Sequence, residues 1–250
     1  MGHTVLMTER RLLRPEPWFA ALALIGLVGF GLQFFLLFTG GADANSGEAG
    51  DAAPLGIRFV RLFSFFTIQS NLFVLAASLL LALGGPRRLV GRVVVQDAVL
   101  SIAVTGIAFS FILDPSIELR GLASVVTTIF HNVIPIAFLA LWLVLGPRRL
   151  WNARTTAWTF LWPVAWIAGT FIAGALTGWY PYPFLDVPRV GFWAAAGGAA
   201  IVMLLALVLT ALMLLVDRRV PSFGRPPRHR SEGAPSAAAT STGEHGVVGR

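Results

Sequence analysis

"RLFSFFTIQSNLFVLAASLLLALGGPRR", residues 61–88, starts apolar and ends on a Gly-Gly-Pro turn followed by Arg87 and Arg88. A bilayer core about 30 Å thick takes roughly 20 helical residues at ~1.5 Å each, and this run is long enough to supply them. Arginines just past an apolar run mark a cytoplasmic exit. The stretch therefore reads as most of an inward-running span over 58–83. Thr67, Gln69, Ser70 and Asn71 interrupt it, and polar side chains in lipid either bond neighbouring helices or carry out chemistry.

Working outward, five further runs have the same character: 17–39, 93–113, 123–145, 155–177 and 190–216. Of the 250 residues, 56% are hydrophobic and 12% charged, with a mean hydropathy of +0.75. Soluble domains carry about 25% charged residues, so a soluble globular fold is excluded. All 19 basic residues are arginine. The net charge of +7 does not point to nucleic acid, because the arginines fall in short clusters between apolar runs. With no cysteine, disulfides and thiolate metal sites are excluded.

Arginine placement sets the orientation. Arg10, Arg11 and Arg14 precede the first span; Arg87, Arg88 and Arg92 follow the second; Arg148, Arg149 and Arg154 follow the fourth; Arg218 and Arg219 follow the sixth. The intervening loops carry Asp43, Glu48, Asp51, Asp114, Glu118 and Asp186 and few arginines. The positive-inside rule then puts both termini in the cytoplasm, as an even span count requires. The expected fold is an all-α membrane protein, a six-transmembrane-helix bundle over 17–216. Residues 1–16 form a cytoplasmic N-terminus and 217–250 a disordered cytoplasmic tail rich in Pro, Gly, Ser and Ala. The first run, before Ala42-Asp43-Ala44, exceeds the apolar core of a signal peptide and reads as a span. Gly-Pro-Arg-Arg occurs at 85–88 and 146–149 without flanking similarity, as two cytoplasmic turns would. Small-residue runs at 168–175 and 194–200 suit close helix packing.

Counted from Arg58, Thr67 lies nine residues into its span, and His131 lies nine residues into 123–145 from Leu122. A straight helix puts both ~13 Å below the outer surface. His131 is the one histidine within any span. Thr67, Ser70 and Asn71 share a helical face, as do Thr127, Thr128 and His131. The loop "GWYPYPFLD", 178–186, carries Trp179, Tyr180, Tyr182 and Asp186, and its prolines fit it to roof a cavity between the second and fourth spans. Two readings stay open. In one, His131 takes the Thr67 proton as the hydroxyl attacks a carbonyl, and Ser70, Asn71 or Asn132 steadies the oxyanion. In the other, the same groups bond helices or hold a ligand. Asp97 lies near the inner end of the third span, within reach of water or Arg92. One intramembrane histidine without a carboxylate pair makes no zinc centre, and nothing calls for a nucleotide, haem or other cofactor.

"RLFSFFTIQSNLFV" (61–74), "VTGIAF" (104–109), "HNVIPIAFLALWLV" (131–144) and "TGWYPYPFLDV" (177–187) resemble segments of the bacterial membrane family known as Pr-six-Pr. That family is distantly similar to the eukaryotic androgen-induced membrane hydrolases, which cleave fatty acid esters of hydroxy fatty acids with an intramembrane threonine and histidine. The resemblance implies the threonine role for Thr67 and the histidine role for His131, and it aligns Tyr182, Pro183, Phe184 and Leu185 with a shared outer loop. Two spacings depart from that pattern. Asn71 follows Thr67 by four residues rather than three, and His131 precedes Pro135 by four rather than five. The resemblance implies a bacterial cell-membrane protein that acts on lipid esters among membrane lipids. The alternative is a non-catalytic lipid or small-molecule binder or transporter.

Overall fold

A computed structural model describes residues 13–40, 53–111 and 119–224. The acidic loop that begins with Ala42-Asp43-Ala44, the outer end of the third run and the tail beyond Gly224 lie outside the described residues. The described chain forms α1 (Glu16–Thr39), α2 (Leu55–Ser64), α3 (Phe66–Ala82), α4 (Leu89–Phe111) and α5 (Leu122–Thr128). A π-turn over Ile129–Val133 joins α5 to α6 (Ile134–Leu145). Then come α7 (Ala153–Thr177), a 3-10 turn at Pro183–Leu185, α8 (Val187–Val190) and α9 (Phe192–Arg219).

Five continuous rods are long and apolar enough to cross a bilayer: α1, α4, the α5–α6 rod, α7 and α9. The sixth expected span is not one straight helix. α2 and α3 meet at Phe65 with a bend of 71°. Phe65 is extended there (φ −71°, ψ 128°). A broken helix strands carbonyls that lipid cannot satisfy, and two side chains take them up. Gln69 Nε2 donates to the Phe63 carbonyl at 2.6 Å, and the Trp166 indole donates to that of Ser64 at 2.9 Å. α2 places Arg58 and Arg61 among apolar residues, the composition of a helix lying along an interface.

The bend overturns the depth estimate for Thr67. That residue is the second of α3, and α2, steeply inclined to it, contributes roughly a third of its rise along the α3 axis. Thr67 therefore sits at the start of the long arm of its span, while His131 stays ~13 Å along a continuous rod.

α4 is the central helix. In its most apolar stretch 61% of residues are buried, against 17% for α7 and 22% for α9, which lie at the periphery. Phe19, Phe130, Phe138, Ile68, Ile102 and Val126 are fully buried where α1, α3, α4 and the α5–α6 rod meet. The two ends of the described chain meet as well. Leu13 N–H donates to the Phe223 carbonyl at 2.9 Å, and Phe223 N–H donates to the Val144 carbonyl at 2.9 Å. The helix reaches Arg219, and residues through Gly224 pack on the body, so the first part of the segment expected to be tail is ordered.

Candidate functional site

The residues singled out in the sequence divide between two places on opposite sides of α4. The first lies under the outer loop. Gly178 ends α7 in the left-handed region (φ 71°) and turns the chain back over the bundle. Tyr180 then fills the notch left by Gly174, where any Cβ would collide with its ring, and Phe184 packs on Gly198. These two plugs seat the loop on α7 and α9. Trp179 meets Phe65 edge to face at 5.9 Å, with the Arg61 guanidinium 5.1 Å above its ring. Asp186 starts α8 and keeps one buried carboxylate oxygen without a partner among the described residues.

Tyr182 is buried, and its hydroxyl accepts from the Thr67 backbone N–H at 3.4 Å and stands 3.5 Å from Thr67 Oγ1. It thereby serves one of the free amides at the α3 N-terminus. Burial raises the Tyr182 phenol above its usual pKa, opposed by its bonds to Thr67 and Phe66. The loop does roof a cavity, of about 50 Å³, lined by Thr67, Thr105, Tyr182, Trp166 and apolar side chains of α4, α7 and α9. Its walls are the second, third, fifth and sixth runs; the fourth, with His131, is not among them.

The second place is a groove of about 390 Å³ between α4, α6 and α9, lined by Ser110, His131, Asn132 and ten apolar or glycine positions from Ala103 to Val216. A local conflict in the helix creates it. Pro135 lacks an N–H, and its ring crowds the carbonyl four residues earlier, which belongs to His131. The helix relaxes into the π-turn, with Ile134 N–H bonding the Ile129 carbonyl. Such turns recur at functional sites. Gly106 on α4 accommodates Pro135: a Cβ there would stand only 3.3 Å from the Pro135 ring. His131 is 4% exposed; its Nδ1 lies 3.0 Å from the Thr127 carbonyl, and Phe109 stacks on its ring at 4.1 Å. A carbonyl only accepts, so Nδ1 carries the proton and Nε2 presents its lone pair.

Ser70 and Asn71 join these places without opening one to the other. Ser70 Oγ donates to the Thr67 carbonyl and shares a 2.9 Å bond with Thr105 Oγ1. Asn71 Nδ2 donates to the carbonyls of Thr67 (2.8 Å) and Phe130 (3.2 Å). Asn71, a turn below Thr67, is thus the residue level with the π-turn. Asn132 is exposed along the groove rather than turned toward Thr67. Asp97 is buried on α4 and pairs with no described residue, Arg92 included. Ser110 escaped the sequence reading; its i+4 spacing from Gly106 was the available signal.

Comparison with protein-family models, curated proteins and solved structures returned no match.

Proposed function

We propose that this chain is an integral membrane protein that binds a membrane lipid laterally, in the groove between α4, α6 and α9. One observation carries the reading: an apolar groove of about 390 Å³ ends on a buried histidine whose Nε2 lone pair has no protein donor among the described residues. Its volume falls in the range of small-molecule sites. A bundle of six crossings, the α2–α3 pair counted as one, with both ends in the cytoplasm supplies the setting. The bond between Leu13 and Phe223 supports an even number of crossings, and the arginine clusters support the orientation. A bacterial cell membrane is the setting that the family resemblance implies.

The test fills the groove. Ile136 lines it and is exposed, so Ile136→Trp occupies the space without touching the core. Native mass spectrometry of the detergent-purified protein should find bound lipid on the wild type and none on the variant. Equal lipid on both would sink the reading.

A lipid-ester hydrolase is the second reading, favoured by the His131 tautomer, since a free Nε2 is what a general base needs. Thr67 lines the other cavity, so this reading needs either a rearrangement around α4 or another nucleophile. Fluorophosphonate labelling of purified protein beside Thr67→Ala and His131→Ala tests it. Labelling lost in both variants supports a Thr/His pair, and labelling that survives both rules it out.

A further inference from the structure

We infer that the groove selects a long-chain lipid whose polar end is a neutral hydroxyl, held between His131 Nε2 and Asn132. This rests on the groove being a lipid site, as proposed above. The argument concerns donors and acceptors. His131 is locked from two sides, by the Thr127 carbonyl and by the Phe109 ring, so its lone pair has a fixed direction. Asn132 follows it on the groove wall, and its amide has no bond to any described residue.

Ser110 supplies the third polar atom. α4 and α6 run antiparallel, Gly106 meets Pro135, and one turn outward on each helix brings Ser110 level with His131. The Ser110 proton is committed to the Gly106 carbonyl at 2.8 Å, so its oxygen faces the groove as an acceptor. The polar end thus offers acceptor, amide and acceptor. A hydroxyl, which donates one bond and accepts another, satisfies that set; an ether or a simple ester leaves Nε2 without a donor.

The lining excludes charged ends. His131 lies ~13 Å along its rod from Leu122, and no charged residue lines the groove. A phosphate or ammonium drawn there would lack a counter-charge in a medium that penalises it. From His131 to Leu139 the wall runs on ~12 Å, flanked by Leu209, Leu212, Met213 and Val216 of α9, an apolar track suited to an acyl chain.

The experiment compares cetyl alcohol with its methyl ether on full-length protein in detergent, by displacement of a bound fluorescent fatty alcohol. Wild type should bind the alcohol about tenfold more tightly, and His131→Leu should lower the alcohol to the level of the ether while leaving the ether unchanged. Equal binding of alcohol and ether by wild type rules out a free alcohol as the source yet leaves the lipid groove standing. Binding of neither overturns both. Should His131→Leu fail to fold, the wild-type comparison still decides. Diacylglycerol and its methyl-capped form, run in parallel, separate a two-chain source of the hydroxyl from a free alcohol. Discrimination within one pair names the source, and discrimination within neither refutes the selection.

Discussion

Gln69 shows what a polar residue in an apolar run is for. Its side chain crosses the bend to hold the Phe63 carbonyl, a role visible only once the helix is known to break. Gln69→Leu keeps the bulk and strands that carbonyl, so thermal unfolding in detergent should show a loss of about 1–3 kcal/mol. Tyr182 gives a second expectation. The chain has two tyrosines, so Tyr180→Phe leaves one phenol to titrate. Its phenol, buried in an apolar wall, should form tyrosinate only well above the usual value of about 10. The sign for stability follows. The unfolded chain loses this proton first, so stability contributed by Tyr182 is complete below pH ~10 and declines as pH rises past it. Alkaline titration of tyrosinate absorbance, with and without denaturant, checks both.

At the scale of the element, the π-turn decides where His131 points. A π-turn inserts one residue into the helical phase, and its removal would rotate everything upstream by ~100° relative to α6. Pro135→Ala restores the missing N–H, permits a regular helix, and should swing His131 out of the groove. The expected result is loss of bound lipid by native mass spectrometry, with the far-UV helical signal retained. The α2–α3 bend works the opposite way: it is fixed from outside, by Gln69, Trp166 and Tyr182, rather than by a proline.

Over the whole molecule, the end of the bundle where both ends of the described chain meet is tied together by Arg148. Its guanidinium donates to the carbonyls of Trp142 (3.0 Å), Gly146 (2.9 Å), Val220 (3.1 Å) and Leu143, and lies 5.1 Å from the Trp142 ring. Burial lowers its pKa, opposed by the nearby Asp217. Asp217 in turn accepts from the N–H groups of Leu150 and Trp151. The second Gly-Pro-Arg-Arg is therefore a helix-end clamp as well as a topology signal. Arg148→Met should destabilise by about 2 kcal/mol and free the α9 end, read as faster proteolysis after Arg218 or Arg219. Arg87→Met in the first copy should do neither, since Arg87 bonds no described carbonyl.

Much of this architecture was legible in the chain. Apolar run length set the bounds of the helices to within a few residues, because lipid thickness and helical rise leave little freedom, but it did not show the break in the second run. What the sequence left open lies where helical phase is broken. Thr67 and His131 match in residue count, yet a bend at Phe65 and a π-turn at Ile129–Val133 put them on opposite sides of α4. Linear spacing specifies a face only while the helix stays regular. The sequence by itself determined that the chain forms helices long and apolar enough to cross a membrane, since composition must match the solvent. Which polar groups meet there was decided by tertiary structure, because a break in a helix redirects every side chain beyond it and only neighbouring helices fix where it breaks.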